Sequence, residues 1–158
     1  RKLCVNCVIR AEAKSLKTSL TDMRIMAIDL GEARTGIALS DPLGLIATPY
    51  CVFSGYGRTR LKDAVLDIIA KENVGLIILG YPKRTDGKPG KMQEKVESFY
   101  TFLSKRTDVE IKLINEAFTT VIASQHLHDI DMNAKEQRSM IDAAAAAVLL
   151  QGYLDSSK

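Results

Sequence analysis

Apolar and polar positions along this chain fall into blocks whose period switches from that of a strand to that of a helix. Arg24–Leu30 (RIMAIDL) is a compact apolar run ending in Asp-Leu-Gly, which predicts a strand. Thr35–Ser40 (TGIALS) predicts a second, and the short Gly31–Arg34 turn between them predicts an antiparallel hairpin. A third extended stretch follows Asp41-Pro42, around Ile46–Phe53. Pro49 has no N–H to give to a ladder, so this stretch belongs at an edge or a bulge. Helical spacing then takes over: Leu61, Ala64, Val65, Ile68 and Ile69 form one stripe within Arg58–Glu72. Gly75–Gly80 (GLIILG) is continuously apolar, as in a strand buried on both faces. A loop rich in Pro, Gly and Lys leads to a helix over roughly Gln93–Lys105. Val109–Asn115 alternates, with Glu110 and Lys112 outward, as a half-exposed edge strand does. Two helices, near Thr119–Asp129 and Glu136–Asp155, close the chain.

This succession predicts an α/β fold: a mixed five-stranded sheet, its first three strands antiparallel, with helices on both faces. The arrangement is ribonuclease H-like, and topology alone assigns no function. The 158 residues suffice for one domain with a sizeable core. Residues 10–22 are polar and without period, so 1–22 is expected to be a flexible tail or processing remnant, and 23–158 the domain. The longest apolar run, Ala143–Leu150, falls far short of the ~20 residues that span a bilayer, so no membrane segment is expected.

Charge sharpens one point. The net charge of +3 resides entirely in residues 1–22, and 23–158 holds 17 basic and 17 acidic residues. Any polyanion site must therefore come from local clustering, such as the stretch from Lys83 to Lys91. Three cysteines, Cys4, Cys7 and Cys51, are too few for a disulfide framework and fit a reducing compartment. The lone Cys4-x-x-Cys7 lacks a second half and is expected to hold no metal.

Candidate chemistry lies in three acids. Asp29 sits in an otherwise apolar strand, where an unpaired carboxylate costs several kcal/mol. It reads either as a turn-forming Asp before Gly31 or as a metal ligand with room left by Gly31 and Gly36. Glu116 follows the edge strand and reads equally as a solvated acid in a helix's first turn. Asp142 precedes Ala143–Ala147, five small residues that let the last helix approach the sheet; a surface acid is its plain alternative. In the fold expected, the ends of the first and fifth strands and the last helix converge. Three clustered carboxylates repel unless divalent cations neutralise them, and an oxygen-only set favours Mg²⁺ or Mn²⁺. His126 and His128, two apart on a helix, point in different directions and make poor shared ligands. Arg34, Lys83, Arg84, Lys88 and Lys91 are candidates for contacts with a phosphate backbone.

Five ordered segments carry a family resemblance: Met23–Gly36 (MRIMAIDLGEARTG), Ser40–Pro49 (SDPLGLIATP), Gly80–Gly90 (GYPKRTDGKPG), Asn115–Thr120 (NEAFTT) and Ile141–Asp155 (IDAAAAAVLLQGYLD). With them, 23–158 resembles the YqgF/RuvX-like pre-16S rRNA nucleases, also described as Holliday junction resolvase homologues. The resemblance implies a divalent-metal nuclease site, maturation of the 5′ end of 16S rRNA, and the bacterial cytoplasm. Asp29, Glu116 and Asp142 fall on the family's acidic motif positions. Asn115-Glu116-Ala117 stands where the family pattern reads Asp-Glu-Arg, and Lys83-Arg84 replaces an apolar-Asn pair. A structured RNA, or branched DNA in a junction-resolving variant of the same chemistry, is the expected partner; a homodimer is left open. Two other classes compete. Asp-Leu-Gly with Gly36 resembles the phosphate hairpin of actin-like ATP-binding proteins, which need two such domains. A non-catalytic RNA- or protein-binding factor is the other, supported by Asn115 and Ala117.

Overall fold

The computed structural model describes residues 23–55, 57–82, 90–115 and 134–157, except the side chains of Arg58 and of 134–143. Its elements are β1 (Arg24–Leu30), β2 (Arg34–Ser40), β3 (Ala47–Ser54), α1 (Arg58–Lys71), β4 (Val74–Tyr81), α2 (Lys91–Ser104), β5 (Glu110–Asn115) and α3 (Ala134–Ser156). The predicted strands and helices in this part of the chain all appear, with ends displaced by a residue or two. The helix expected near Thr119–Asp129 lies outside the described residues.

One sheet runs in the order β3-β2-β1-β4-β5. The β1–β2 and β2–β3 pairs are antiparallel, whereas β1–β4 and β4–β5 are parallel. Both features expected of Pro49 coexist. It lies on edge strand β3, opposite Ala38, while Cys51 faces Ile37, so Tyr50 is the extra residue of a bulge. β5 forms the other edge, with Glu110 and Lys112 exposed as predicted.

Alternation along the strands divides the core between two faces. Met26, Ile28, Ile37, Leu39, Ile77 and Leu79 pack beneath the apolar stripes of α1 and α2. Ala27, Ala38 and Ile78 lie on the other face beneath Ala146, Leu149, Leu150 and Leu154 of α3. The alanines in both layers explain how a helix this long lies directly on β1, β2 and β3. Among the described residues no helix is long and apolar enough to cross a membrane.

The Ser40–Pro49 segment is built as a brace. Ser40 Oγ accepts the Ile25 N–H at 2.8 Å and donates to the Asp41 carbonyl at 2.8 Å. Asp41 Oδ1 accepts the N–H groups of Leu45 and Ile46 at 2.6 and 2.8 Å, and these bonds, Ile46 foremost, hold its carboxyl below the usual range. Gln151 of α3 closes the brace, accepting from Ala47 N at 2.9 Å and donating to the Leu45 carbonyl at 3.2 Å.

Candidate metal and substrate site

Asp29 is the next-to-last residue of β1, half-buried between the buried Ile28 and Leu30. Strand alternation puts it on the α3 face with Ile25 and Ala27. Directly across the hairpin its partner is Gly36. On the other side Ile28 pairs with Leu79, and continuing that parallel register sets Gly80 beside Asp29. Neither neighbouring strand therefore places a Cβ next to the carboxylate. Gly36 was anticipated as a cleared position; Gly80 was missed, although a glycine closing so apolar a strand was the available signal.

Gly31 has a different reason from the one expected. A Cβ there would meet the Arg34 carbonyl oxygen at 2.7 Å, and Gly31 N donates to that same oxygen at 2.8 Å. The tight closure of the β1–β2 turn, rather than space beside Asp29, requires the glycine.

The parallel strands β1, β4 and β5 end on one edge of the sheet, at Leu30, Tyr81 and Asn115, with Tyr81 paired to Asn115. Glu116 is the next residue after β5 and lies outside the described residues. Asp142 belongs to α3, although its side chain is not among those described. Position 142 lies one turn before the sheet-facing Ala146, on the same side of α3. Among the described residues no group of three or more His, Cys, Asp or Glu forms a cluster. His126 and His128, like Cys4 and Cys7, lie outside them.

The candidate cations divide. Arg34 opens β2 just past the turn that follows Asp29 and lines a small recess with Thr35, Phe53, Leu61 and Lys95, toward the α1 and α2 face. Lys83, Arg84 and Lys88 lie outside the described residues. Both ends of that segment are tied to α2: Tyr81 Oη donates to Glu97 at 2.8 Å, and Gly90 N donates to Gln93 Oε1 at 2.9 Å. The Glu97 bond raises the Tyr81 phenol above its usual range. Lys91, exposed at the start of α2, lines a cleft of about 490 Å³ on the face away from Asp29.

A mixed five-stranded sheet in this order, with helices on both faces, is a ribonuclease H-like fold. The chain belongs to the RuvX Holliday junction resolvase family, whose model matches residues 23–156. A relative from Halothermothrix orenii, whose name designates a proposed pre-16S rRNA nuclease, is 38% identical over 84% of this chain and 95% of its own length. A relative of the same name from Desulforamulus reducens is also 38% identical, over 85% of this chain and 98% of its own. The solved RuvC of Thermus thermophilus in complex with a Holliday junction substrate superposes with a TM-score of 0.54 at 12% identity. It covers 85% of this chain and 95% of its own, and at that identity the likeness is one of fold.

Proposed function

We propose that this protein is a divalent-metal-dependent endonuclease of structured nucleic acid that matures the 5′ end of pre-16S rRNA in the bacterial cytoplasm. The observation that carries the reading is Asp29 at the C-terminal edge of the central strand, flanked by Gly36 and Gly80, in a chain of the RuvX family. The names of the 38%-identical relatives supply the substrate.

The donor chemistry fits a hard cation, because the candidate ligands Asp29, Glu116 and Asp142 offer oxygen only. Asp29 would hold Mg²⁺ or Mn²⁺ together with Glu116 and Asp142. When bound, such ions neutralise charge at the reacting phosphate and lower the pKa of water. The chain's own contribution is positional. β1, clamped between β2 and β4, fixes the Asp29 backbone, and the glycines leave space for a phosphate above it. Arg34, which opens β2 just past the turn that follows Asp29, offers a positive charge to a backbone oxygen.

Asp29→Asn is expected to lower Mn²⁺-stimulated cleavage of a pre-16S rRNA fragment by at least ~100-fold, since even residues behind metal ligands are worth 10–100-fold. The variant should retain the wild-type melting temperature. Undiminished cleavage would sink the assignment. The family description favours one alternative substrate, a four-way DNA junction. Running both substrates side by side decides between them, and cleavage of the junction alone would replace the rRNA reading.

A further inference from the structure

The cleft on the far face of the sheet has no part in the site around Asp29. Leu30, the residue after Asp29, forms part of its wall, so the cleft opens directly behind the end of β1. Leu61 and Lys62 of α1 line one side, and Lys91, Lys95 and Ser98 of α2 line the other. Three lysines face a single acid there, Glu94, in a domain whose charges balance overall. Two of them are held in place. The Lys95 ammonium donates to the Gly31 carbonyl and, at 3.5 Å, to that of Glu32. The Lys62 ammonium lies 4.6 Å from the centre of the Phe102 ring. Lys95 thereby also braces the turn that follows Asp29.

We propose that this cleft between α1 and α2 binds the phosphodiester backbone of the nucleic acid, on the flank that has passed over the Gly31–Arg34 turn from Asp29. Lys62, Lys91 and Lys95 provide the charge. Concave placement and pre-ordered ammonium groups reduce the entropy lost on binding, and the lysines contact phosphates rather than bases, so binding is indifferent to sequence. The proposal rests on the nuclease reading only in taking the bound backbone to be that of the substrate.

The test is a salt titration of binding with divalent ions chelated, so that cleavage plays no part. The probes are a labelled mixed-sequence duplex made once as DNA and once as RNA. Lys62→Gln should weaken binding about three- to tenfold near 0.1 M salt and flatten the log–log salt slope by about 0.9 on the DNA duplex. Ser98→Glu, which adds an acid to the cleft and replaces no lysine, should weaken binding with wild-type melting. Lys71→Gln, the same charge change at the other end of α1, nine residues and ~13.5 Å along the helix from Lys62, should leave both readings unchanged. Loss on both duplexes assigns the cleft to the backbone they share, and loss on RNA alone assigns it to an A-form backbone. Equal losses in Lys62→Gln and Lys71→Gln, an unmoved slope in Lys62→Gln, or no wild-type binding would overturn the proposal. Because cleavage is absent, these outcomes stand apart from that of Asp29→Asn.

Discussion

Replacing Ser40 by alanine tests the brace that fixes the start of the Asp29 strand. The hydroxyl is 1% exposed and serves two backbone groups, accepting from Ile25 N and donating to the Asp41 carbonyl, each at 2.8 Å. Its place coincides with a break in the ladder. Arg24 faces Val74 but Ile25 faces Leu76, and Ser40 takes the Ile25 N–H at that slip. Alanine fits the space but leaves a part-buried donor unmatched, at a cost of ~1–3 kcal/mol. The Asp41 carbonyl keeps a second lone pair and adds less. A loss of about 2 kcal/mol is expected, hence a melting temperature lowered by ~4–8 °C at 2–4 °C per kcal/mol for a chain of this size. Calorimetry and urea unfolding measure it. Ser104→Ala, on an exposed hydroxyl bonded to the Thr101 carbonyl, should stay within ~0.5 kcal/mol of wild type. A loss below ~0.5 kcal/mol for Ser40→Ala, with the urea slope unchanged, would refute the hydrogen-bond accounting.

Three further outcomes follow from the structure. Gly31→Ala drives a methyl to 2.7 Å from the Arg34 backbone oxygen, so the turn must open; a loss of ~1–3 kcal/mol in urea unfolding is expected, with cleavage falling more than stability. Gly152→Ala, in open space on α3, should instead stabilise by ~0.5–1 kcal/mol, and a loss there would mean that α3 packs differently. The Asp41 carboxyl titrates below its unfolded value of about 4, so its contribution is complete above that pH and vanishes as pH falls through the folded value. The melting-temperature gap between wild type and Asp41→Asn should therefore be widest near neutrality and shrink below about pH 4. A gap independent of pH would remove the charge from the explanation.

The order of elements was legible because each carries a local signature. Gly75–Gly80 is too short and too apolar for anything but a buried strand, and the Leu61–Ile69 stripe has only a helical period. The same local logic placed Pro49 at an edge or a bulge, since a residue without an N–H cannot donate to an interior ladder. Asp29 stood out as the one acid in its strand, and the family motifs gave it company in Glu116 and Asp142.

What the chain alone could not show is which residues become neighbours across strands and faces. Gly80 lies fifty-one positions beyond Asp29, and only parallel pairing of β4 with β1 sets the two side by side. The sequence reads Gly31 as room for a ligand, whereas the turn sets a backbone oxygen against it. Lys91 seemed part of the loop before it, yet the fold sends it to the opposite face, where it meets Lys62 and Lys95. Period and propensity are properties of consecutive residues and can be read in order. Register, facing and clustering of charge depend on contacts between distant segments, which the packed sheet alone decides.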